Sequence, residues 1–215
     1  MKSKKIGIVR FLGTNCDEDV KKWVESKSYK AEYLWFEDRF NTDDYDLVIL
    51  PGGFSHGDYL RCGALAAHTP VMNSIKEFAK KEKPILGICN GFQILCEAGL
   101  LPGVLLRNEK QKFKDEWALL KVNQNSTPFS INVEKNQVIK LPIAHGDGKY
   151  YAESSTLKKL ADNNQIWLTY ESNPNGSALN IAGITNENKN ICGLMPHPER
   201  ALYDWMGSTD GMFFL

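Results

Sequence analysis

The segment from Lys83 to Gly99, K-P-I-L-G-I-C-N-G-F-Q-I-L-C-E-A-G, constrains the fold more than any other part of the chain. Its first part, Pro84 to Ile88, is a short apolar run, which is typical of a buried parallel strand. Phe92, Leu95 and Cys96 then recur at helical spacing, and the final glycine is a natural helix stop. The segment therefore predicts a buried strand that turns directly into a helix.

Cys89 stands at the predicted turn, with Gly87 and Gly91 two residues away on either side. Glycines at these positions let strand and helix approach closely, as in a G-x-C-x-G nucleophile elbow. The turn would also place the thiol at a helix N-terminus, where the dipole favours the reactive thiolate. A cysteine that ends an apolar strand is, however, also a common core residue. Cys89 is therefore a candidate nucleophile whose support must come from other parts of the chain.

Short apolar runs alternate with helical stripes in the first half of the chain, which predicts an α/β fold with a mostly parallel sheet flanked by helices. Short alternating segments from Ala118 to Ala144, including A-L-L-K-V and F-S-I-N-V, predict additional antiparallel strands. No linker is visible, so we expect one domain over residues 1–215. Predicted strands are Lys5–Arg10, Glu32–Phe36, Leu47–Leu50 and Pro84–Ile88; predicted helix starts are a capping box at Thr14 and Thr69-Pro70.

The composition excludes some classes of partner. Lys and Arg together number 26, as do Asp and Glu, so the formal net charge is zero. No basic field favours nucleic acid, and no polybasic face favours a membrane. The five cysteines form no C-x-x-C pair, which predicts reduced thiols in a cytoplasmic protein and neither a disulfide framework nor a metal site. The first apolar run, Ile6 to Leu12, is too short and interrupted for a signal peptide or membrane span.

A glycine pair follows the third predicted strand, in P-G-G-F-S-H-G-D-Y-L-R-C-G-A-L. Enzymes with a nucleophile elbow take one oxyanion donor from the residue after the nucleophile and one from another strand–helix loop. Those donors would be the Asn90 and Gly53 N–H groups. A plain turn is the alternative, because two glycines always permit one. The loop is neither a Walker loop nor G-x-G-x-x-G.

The last distinctive stretch is I-C-G-L-M-P-H-P-E-R. A residue before proline is held extended, and residues two apart in an extended chain face the same side, so His197 and Glu199 should lie together. A carboxylate beside an imidazole holds its tautomer and stabilises the imidazolium. The alternative is a surface H-x-E pair, which is common. The Gly-rich turn at Leu141–Tyr151 carries another histidine but is a weak signal in isolation.

Taken together, G-I-C-N-G-F-Q and M-P-H-P-E-R resemble the triad-type class I glutamine amidotransferases. More narrowly, the chain resembles the glutaminase subunits of phosphoribosylformylglycinamidine synthases of de novo purine synthesis, through those blocks and through P-G-G-F-S-H-G-D-Y-L-R-C-G-A, P-I-A-H-G-D-G-K-Y and the terminal S-T-D-G-M-F-F. The resemblance spans the chain in order and implies a flavodoxin-like sheet. That family commonly has Tyr at His56, Ala at Cys62, Glu at Asp147 and Arg at Lys149; these departures leave the candidate triad untouched.

The resemblance implies a catalytic triad of Cys89, His197 and Glu199 that releases ammonia from glutamine through a thioester on the cysteine. It further implies contacts to the substrate from Gln93 and from the turn that contains His145, Gly146 and Asp147. The family glutaminase needs no cofactor of its own. ATP and Mg are expected on a larger synthetase subunit, and a small third subunit is expected to bridge the two.

Three alternatives stay open at the level of sequence. A glutaminase serving another synthase is opposed by the S-H-G-D block and by the C-terminal S-T-D-G. A cysteine hydrolase or chaperone-like protein on a similar sheet is opposed by the long separation of Cys89 and His197, because in those proteins the histidine commonly follows the cysteine closely. A non-catalytic scaffold of the same fold is opposed by the intact triad. The sequence assigns no role to Cys62, Cys96 or Cys192.

Overall fold

The computed structural model describes residues 3–130 and 132–215 and contains four α-helices and eleven strands in those ranges. The helices are α1 (Asp17–Ser26), α2 (Pro70–Lys80), α3 (Asn90–Glu97) and α4 (Ser154–Asp162). The strands are β1 (Lys5–Arg10), β2 (Lys30–Trp35), β3 (Leu47–Leu50), β4 (Ile85–Ile88), β5 (Val104–Leu106), β6 (Lys114–Val122), β7 (Val138–His145), β8 (Lys149–Tyr151), β9 (Ile166–Tyr170), β10 (Ile181–Thr185) and β11 (Ile191–Leu194).

Nine strands form one sheet in the order β2-β1-β3-β4-β11-β10-β9-β6-β7. The first five pair in parallel, as predicted, and β3, β4 and β11 are buried along their whole length. The chain leaves β1 toward β2 on one side and reaches β3 on the other, which makes a topological switch point beside β1. Ligands in such sheets bind at the carboxyl ends of the strands near that point.

The remaining strands are antiparallel, and β5 and β8 form a separate two-stranded sheet. β11 lies in the centre of the sheet beside β4, and this position determines which chain segments meet at the site. Leu194 lies opposite Ile88 in parallel register, and the Cys89 N–H donates to the Leu194 carbonyl oxygen at 2.8 Å. The chain segments that follow β4 and β11 therefore leave the sheet side by side.

Three local predictions differ from the structure. Helix α1 begins at Asp17, and Thr14 is not its cap, because the Thr14 hydroxyl accepts a hydrogen bond from the Phe11 N–H at 2.9 Å instead. The predicted F-S-I-N-V strand is wrong at Phe129 and Ser130, which are fully buried in a turn where the Ser130 hydroxyl accepts from the Trp167 indole; Ile131 lies outside the described residues.

The third difference concerns the predicted turn at Leu141–Tyr151. The first five of these residues complete β7 and the last three form β8, so only residues 146–148 turn. Pro142 is tolerated because β7 is the edge strand, where a missing N–H need not break a ladder. Among the described residues, no helix combines the length and apolar character needed to cross a membrane.

Candidate active site

Cys89 occupies the turn between β4 and α3 with φ 49° and ψ −105°, a conformation that non-glycine residues rarely adopt. The flanking glycines explain how the turn closes. A Cβ atom on Gly87 would lie 2.7 Å from the Gly91 carbonyl carbon, and one on Gly91 would overlap the Leu50 carbonyl oxygen. The strained backbone presents the sulfur at the start of α3, and the residue Cys89 is only 5 % exposed.

His197 and Glu199 follow β11 and form a buried pair. The His197 Nδ1 atom lies 2.6 Å from Glu199 Oε1, and the two residues are 2 % and 1 % exposed. Burial alone would lower the His197 pKa, but the Glu199 carboxylate and the nearby thiols of Cys16 and Cys89 raise that pKa well above its ordinary value. The structure therefore favours an imidazolium that is held by the carboxylate and faces thiols.

Cys16 is a residue that sequence reasoning did not single out. It follows β1 at the start of α1, is 3 % exposed, and lies within 4.8 Å of both His197 and Glu199 by their ligand atoms. Arg200 Nη2 lies 3.1 Å from its sulfur, and Arg200 Nε lies 3.2 Å from Asp19 Oδ2. The one sequence signal for Cys16 is its position after β1, a strand that lies beside β3 in the sheet.

Gly52 makes room for this group. A Cβ atom there would lie 2.8 Å from His197 Cε1, 2.9 Å from Cys16 Sγ and 3.5 Å from Cys89 Cβ. Gly53 has φ 151° and forms an isolated bridge with Thr14, so the loop is held against the segment after β1. Among the described residues, the N–H groups of Gly53 and Asn90 donate no hydrogen bond. Both predicted oxyanion donors are therefore available, and their role remains a prediction.

The side chains of Asn90 and Gln93 connect three loops around the elbow. Asn90 Oδ1 accepts from the Ser55 N–H at 3.1 Å, and its amide nitrogen donates to Gln93 Oε1 at 2.8 Å. Gln93 Nε2 in turn donates to the Asp147 carbonyl oxygen at 2.6 Å. With both ends of its amide engaged, Gln93 holds the Asp147 turn in place, and direct contact with a substrate stays a prediction.

The His145–Gly148 turn is organised by a second residue that the sequence did not reveal. Asn108 is 2 % exposed; its Oδ1 accepts from Gly148 N–H at 3.0 Å and lies 3.1 Å from His145 Nδ1, while its Nδ2 donates to the His145 carbonyl. Asn108 is also the first residue of the charged segment N-E-K-Q-K-F-K-D-E, which it therefore anchors. His145 points into this network, and burial lowers its pKa to about 4.

Asp147 lies at the outer side of the same turn. Its carboxylate contacts Cys62 Sγ at 3.3 Å and Arg107 Nε at 3.6 Å. Burial and the carboxylates of Asp58 and Asp147 raise the pKa of the Cys62 thiol. Cys62 is therefore suited to packing and hydrogen bonding rather than to attack on a substrate.

Gly53, Cys89 and His197 line one small cavity of about 150 Å³, whereas Glu199, Asn90, Gln93 and the turn at 145–147 do not line it. Its lining residues are Asn15, Cys16, Gly53, Phe54, Cys89, Phe113, Ala144, His197 and Arg200. The Ala144 carbonyl oxygen lies 3.7 Å from the Cys89 sulfur. A larger cavity of about 560 Å³ near Cys96 and Lys159 has no histidine in its lining. The smaller cavity is lined by both Cys89 and His197, and His197 with Arg200 also lines a cavity of about 290 Å³. The smaller cavity is therefore where a nucleophile and a base meet.

A cysteine elbow and a buried His–Glu pair thus lie together at the carboxyl ends of the parallel strands. Residues 3–211 match the model of the CobB/CobQ-like glutamine amidotransferase domain family, and the chain belongs to that family. It is similar to the structure of PurLQS from Thermotoga maritima, with 43 % identity, a TM-score of 0.91 and coverage of 99 % of this chain and 95 % of that one.

A glutamine amidotransferase from Thermotoga maritima is 21 % identical, with a TM-score of 0.63 and coverage of 94 % of this chain and 78 % of that one. At that identity the likeness concerns the fold alone. The predicted fold class and enzyme class are thus confirmed by the family match and by the PurLQS structure.

Proposed function

We propose that this chain is the glutaminase subunit of a phosphoribosylformylglycinamidine synthase, with Cys89, His197 and Glu199 as its catalytic triad. The observation that carries the proposal is the strained Cys89 elbow facing the buried His197–Glu199 pair. It occurs in a chain 43 % identical to PurLQS over 99 % of its length. The chain would release ammonia from glutamine for the conversion of formylglycinamide ribonucleotide to formylglycinamidine ribonucleotide.

The raised pKa of His197 favours an imidazolium in the site, and the nucleophile is the thiolate form of Cys89 that this cation faces. The thiolate attacks the side-chain amide carbon of glutamine, and the N–H groups of Gly53 and Asn90 stabilise the oxyanion. Loss of one such donor typically lowers the rate by about 10²–10³-fold. The imidazolium gives its proton to the departing ammonia, leaving a thioester on Cys89.

The neutral imidazole then takes a proton from water, which attacks the thioester carbon. The second oxyanion collapses, the thiolate leaves with glutamate as product, and the imidazolium is restored. Glu199 keeps the ring in one orientation throughout by accepting from Nδ1–H at 2.6 Å, which leaves Nε2 for both proton transfers. Gln93 and Asn108 fix the turn that we expect to hold the amino-acid end of glutamine, through His145, Gly146 and Asp147.

The chemistry of the product, ammonia, indicates what kind of subunit must accept it. Ammonia is mostly protonated in water near neutral pH, so it is useful to a ligase only when passed on under shelter. We infer an ATP- and Mg-dependent synthetase subunit as the acceptor, a small bridging subunit, and a cytoplasmic complex. The PurLQS likeness supports this assembly.

The experiment that tests the proposal compares wild type with Cys89→Ala in the reconstituted complex. Cys89→Ala should abolish amidine formation from glutamine and leave amidine formation from added ammonium chloride intact. Loss of both activities would mean that the variant disrupts assembly, which size-exclusion chromatography of the complex would reveal. Undiminished glutamine use by an assembled Cys89→Ala complex would overturn the proposal.

A further inference from the structure

One buried thiol of the active-site cavity, that of Cys16, takes no part in the proposed reaction. Cys16 Sγ, a ring nitrogen of His197 and a carboxylate oxygen of Glu199 lie within 4.8 Å of one another, and all three residues are buried. Cys16 lines the same cavity as Cys89. Two thiols and one imidazole thus meet in a space of about 150 Å³.

Two polar atoms of this group are buried without a hydrogen-bond partner among the described residues, namely His197 Nε2 and Glu199 Oε2. The other ring nitrogen, Nδ1, is already engaged by Glu199 Oε1. A carboxylate on one imidazole nitrogen with the other nitrogen free is the arrangement that orients metal-binding histidines in proteins. The unpartnered Nε2 therefore indicates a ligand position beside the two sulfurs.

We propose that this cavity binds a thiophilic divalent cation, best represented by Zn²⁺, through Cys16 Sγ, Cys89 Sγ and His197 Nε2, with Glu199 as the outer partner of the histidine. Bound metal would occupy the nucleophile and the general acid together, so it would inhibit the enzyme reversibly. The inhibition rests on the proposed function, whereas metal binding does not.

The geometry is compatible with such a site. Tetrahedral Zn²⁺ with Zn–S of about 2.3 Å and Zn–N of about 2.0–2.1 Å places sulfur and nitrogen about 3.6 Å apart. Cys16 and His197 already lie within 4.8 Å by their ligand atoms, so small side-chain rotations suffice. Because Gly52 has no side chain, Cys16, Cys89 and His197 all border the one spot where its Cβ would stand.

Charge and softness favour the same ion. Binding releases two protons to solvent, one from the Cys16 thiol and one from the Cys89–His197 pair, which would bind the metal as a thiolate and a neutral imidazole. The two thiolates with Glu199 carry three negative charges. A divalent cation together with the Arg200 guanidinium, 3.1 Å from Cys16 Sγ, balances them. Two sulfurs and one imidazole suit Zn²⁺ and exclude Mg²⁺ and Ca²⁺, which prefer oxygen ligands. The cysteine pattern predicted no metal site, because these ligands are separated by far more than the usual short metal-site spacings.

The test uses the full chain and two metals. Co²⁺ should produce a thiolate-to-cobalt absorption band in the near ultraviolet, with an intensity for two thiolates that falls by about half in Cys16→Ser and in Cys89→Ala. Displacement of Co²⁺ by Zn²⁺, followed through that band, should give one Zn²⁺ site per chain. Cys16→Ser should weaken Zn²⁺ binding at least about tenfold. Cys96→Ala, which removes a buried thiol from the other cavity, should leave both results unchanged.

Glutaminase assays in the complex then address regulation. Wild type should lose activity as Zn²⁺ fills the site and regain it with a chelator, while Cys16→Ser, normalised to its own metal-free rate, should need at least about ten times more Zn²⁺. Equal Zn²⁺ affinity of wild type and folded Cys16→Ser, or no cobalt band in wild type, would overturn the inference. A metal-free wild type without glutaminase activity would instead refute the proposed function while the cobalt result still decided the site. If Cys16→Ser does not fold, the band intensities of wild type and Cys89→Ala still show whether two thiolates bind the metal.

Discussion

Substitution of Gly52 by alanine tests the packing on which the catalytic geometry depends. The new methyl carbon would lie 2.8 Å from His197 Cε1 and 2.9 Å from Cys16 Sγ, whereas carbon atoms in contact prefer about 3.5–4.0 Å. The imidazole must therefore retreat by roughly 0.7 Å. A displacement of about 1 Å in an active site can lower the rate by about 10²-fold, so we expect a loss of about 10- to 100-fold, or about 1.4–2.7 kcal/mol of transition-state stabilisation.

The assay is kcat/KM for glutamine hydrolysis with saturating synthetase subunit, alongside the urea-induced unfolding of the isolated chain. Overpacking should lower the unfolding free energy by about 1–3 kcal/mol. Gly99→Ala is the matched control, because its φ of +71° strains an alanine while nothing lies within 4 Å of the new atom. It should lose comparable stability and keep its activity. A Gly52→Ala enzyme within twofold of wild type would refute the argument that Gly52 sets the position of His197.

Three further substitutions test the residues around the elbow. Glu199→Gln removes the charge that raises the His197 pKa and should lower kcat at least about 100-fold. Because ammonia release needs the protonated imidazole, the alkaline limb of its pH–rate profile should move to lower pH; an unchanged profile would contradict the role of the pair. His145 has a folded-state pKa of about 4, below its ordinary 6.5, so the unfolded chain binds its proton first as pH falls, and stability should drop by about 2 kcal/mol from pH 7 to pH 5. Urea unfolding of His145→Asn should show that much less dependence on pH, and identical slopes would contradict this account. Asn108→Ala deletes the acceptor of the Gly148 N–H and should raise KM for glutamine by at least about tenfold with kcat less affected, whereas a change confined to kcat would argue against a role in positioning the turn.

Local sequence signals were sufficient for three of the five parallel strands. β1 and β3 occupy the predicted residues, and β4 begins one residue later than predicted. β2 spans Lys30–Trp35 where Glu32–Phe36 was predicted, and β11 was not predicted. β1, β3 and β4 are predicted correctly because burial, glycine placement and apolar periodicity agree along a short segment. The elbow at Cys89 depends on the same local signals. His197 and Glu199 do lie together, but through a 3-10 turn at Pro198–Arg200 and not through the extended chain that the prolines predicted.

The parts that escaped prediction depend on long-range contacts. Nothing local distinguishes Asn108 from a surface asparagine, yet it binds a turn nearly forty residues away. Thr14 has the sequence signature of a helix cap, but its hydroxyl accepts a hydrogen bond from the Phe11 N–H instead. Cys16 joins the site only because β1 lies beside β3 and β11 lies beside β4. A sequence without its strand order cannot show that these ends meet.

The central claim is that Cys89, and not the neighbouring thiol of Cys16, is the nucleophile that attacks glutamine. Mass spectrometry after treatment of the reconstituted complex with diazo-oxonorleucine, a glutamine-like electrophile, tests this most directly. The account predicts one label per chain, on Cys89, which excess glutamine prevents and which Cys16→Ser retains. A label on Cys16, or no label with the synthetase present, would contradict it.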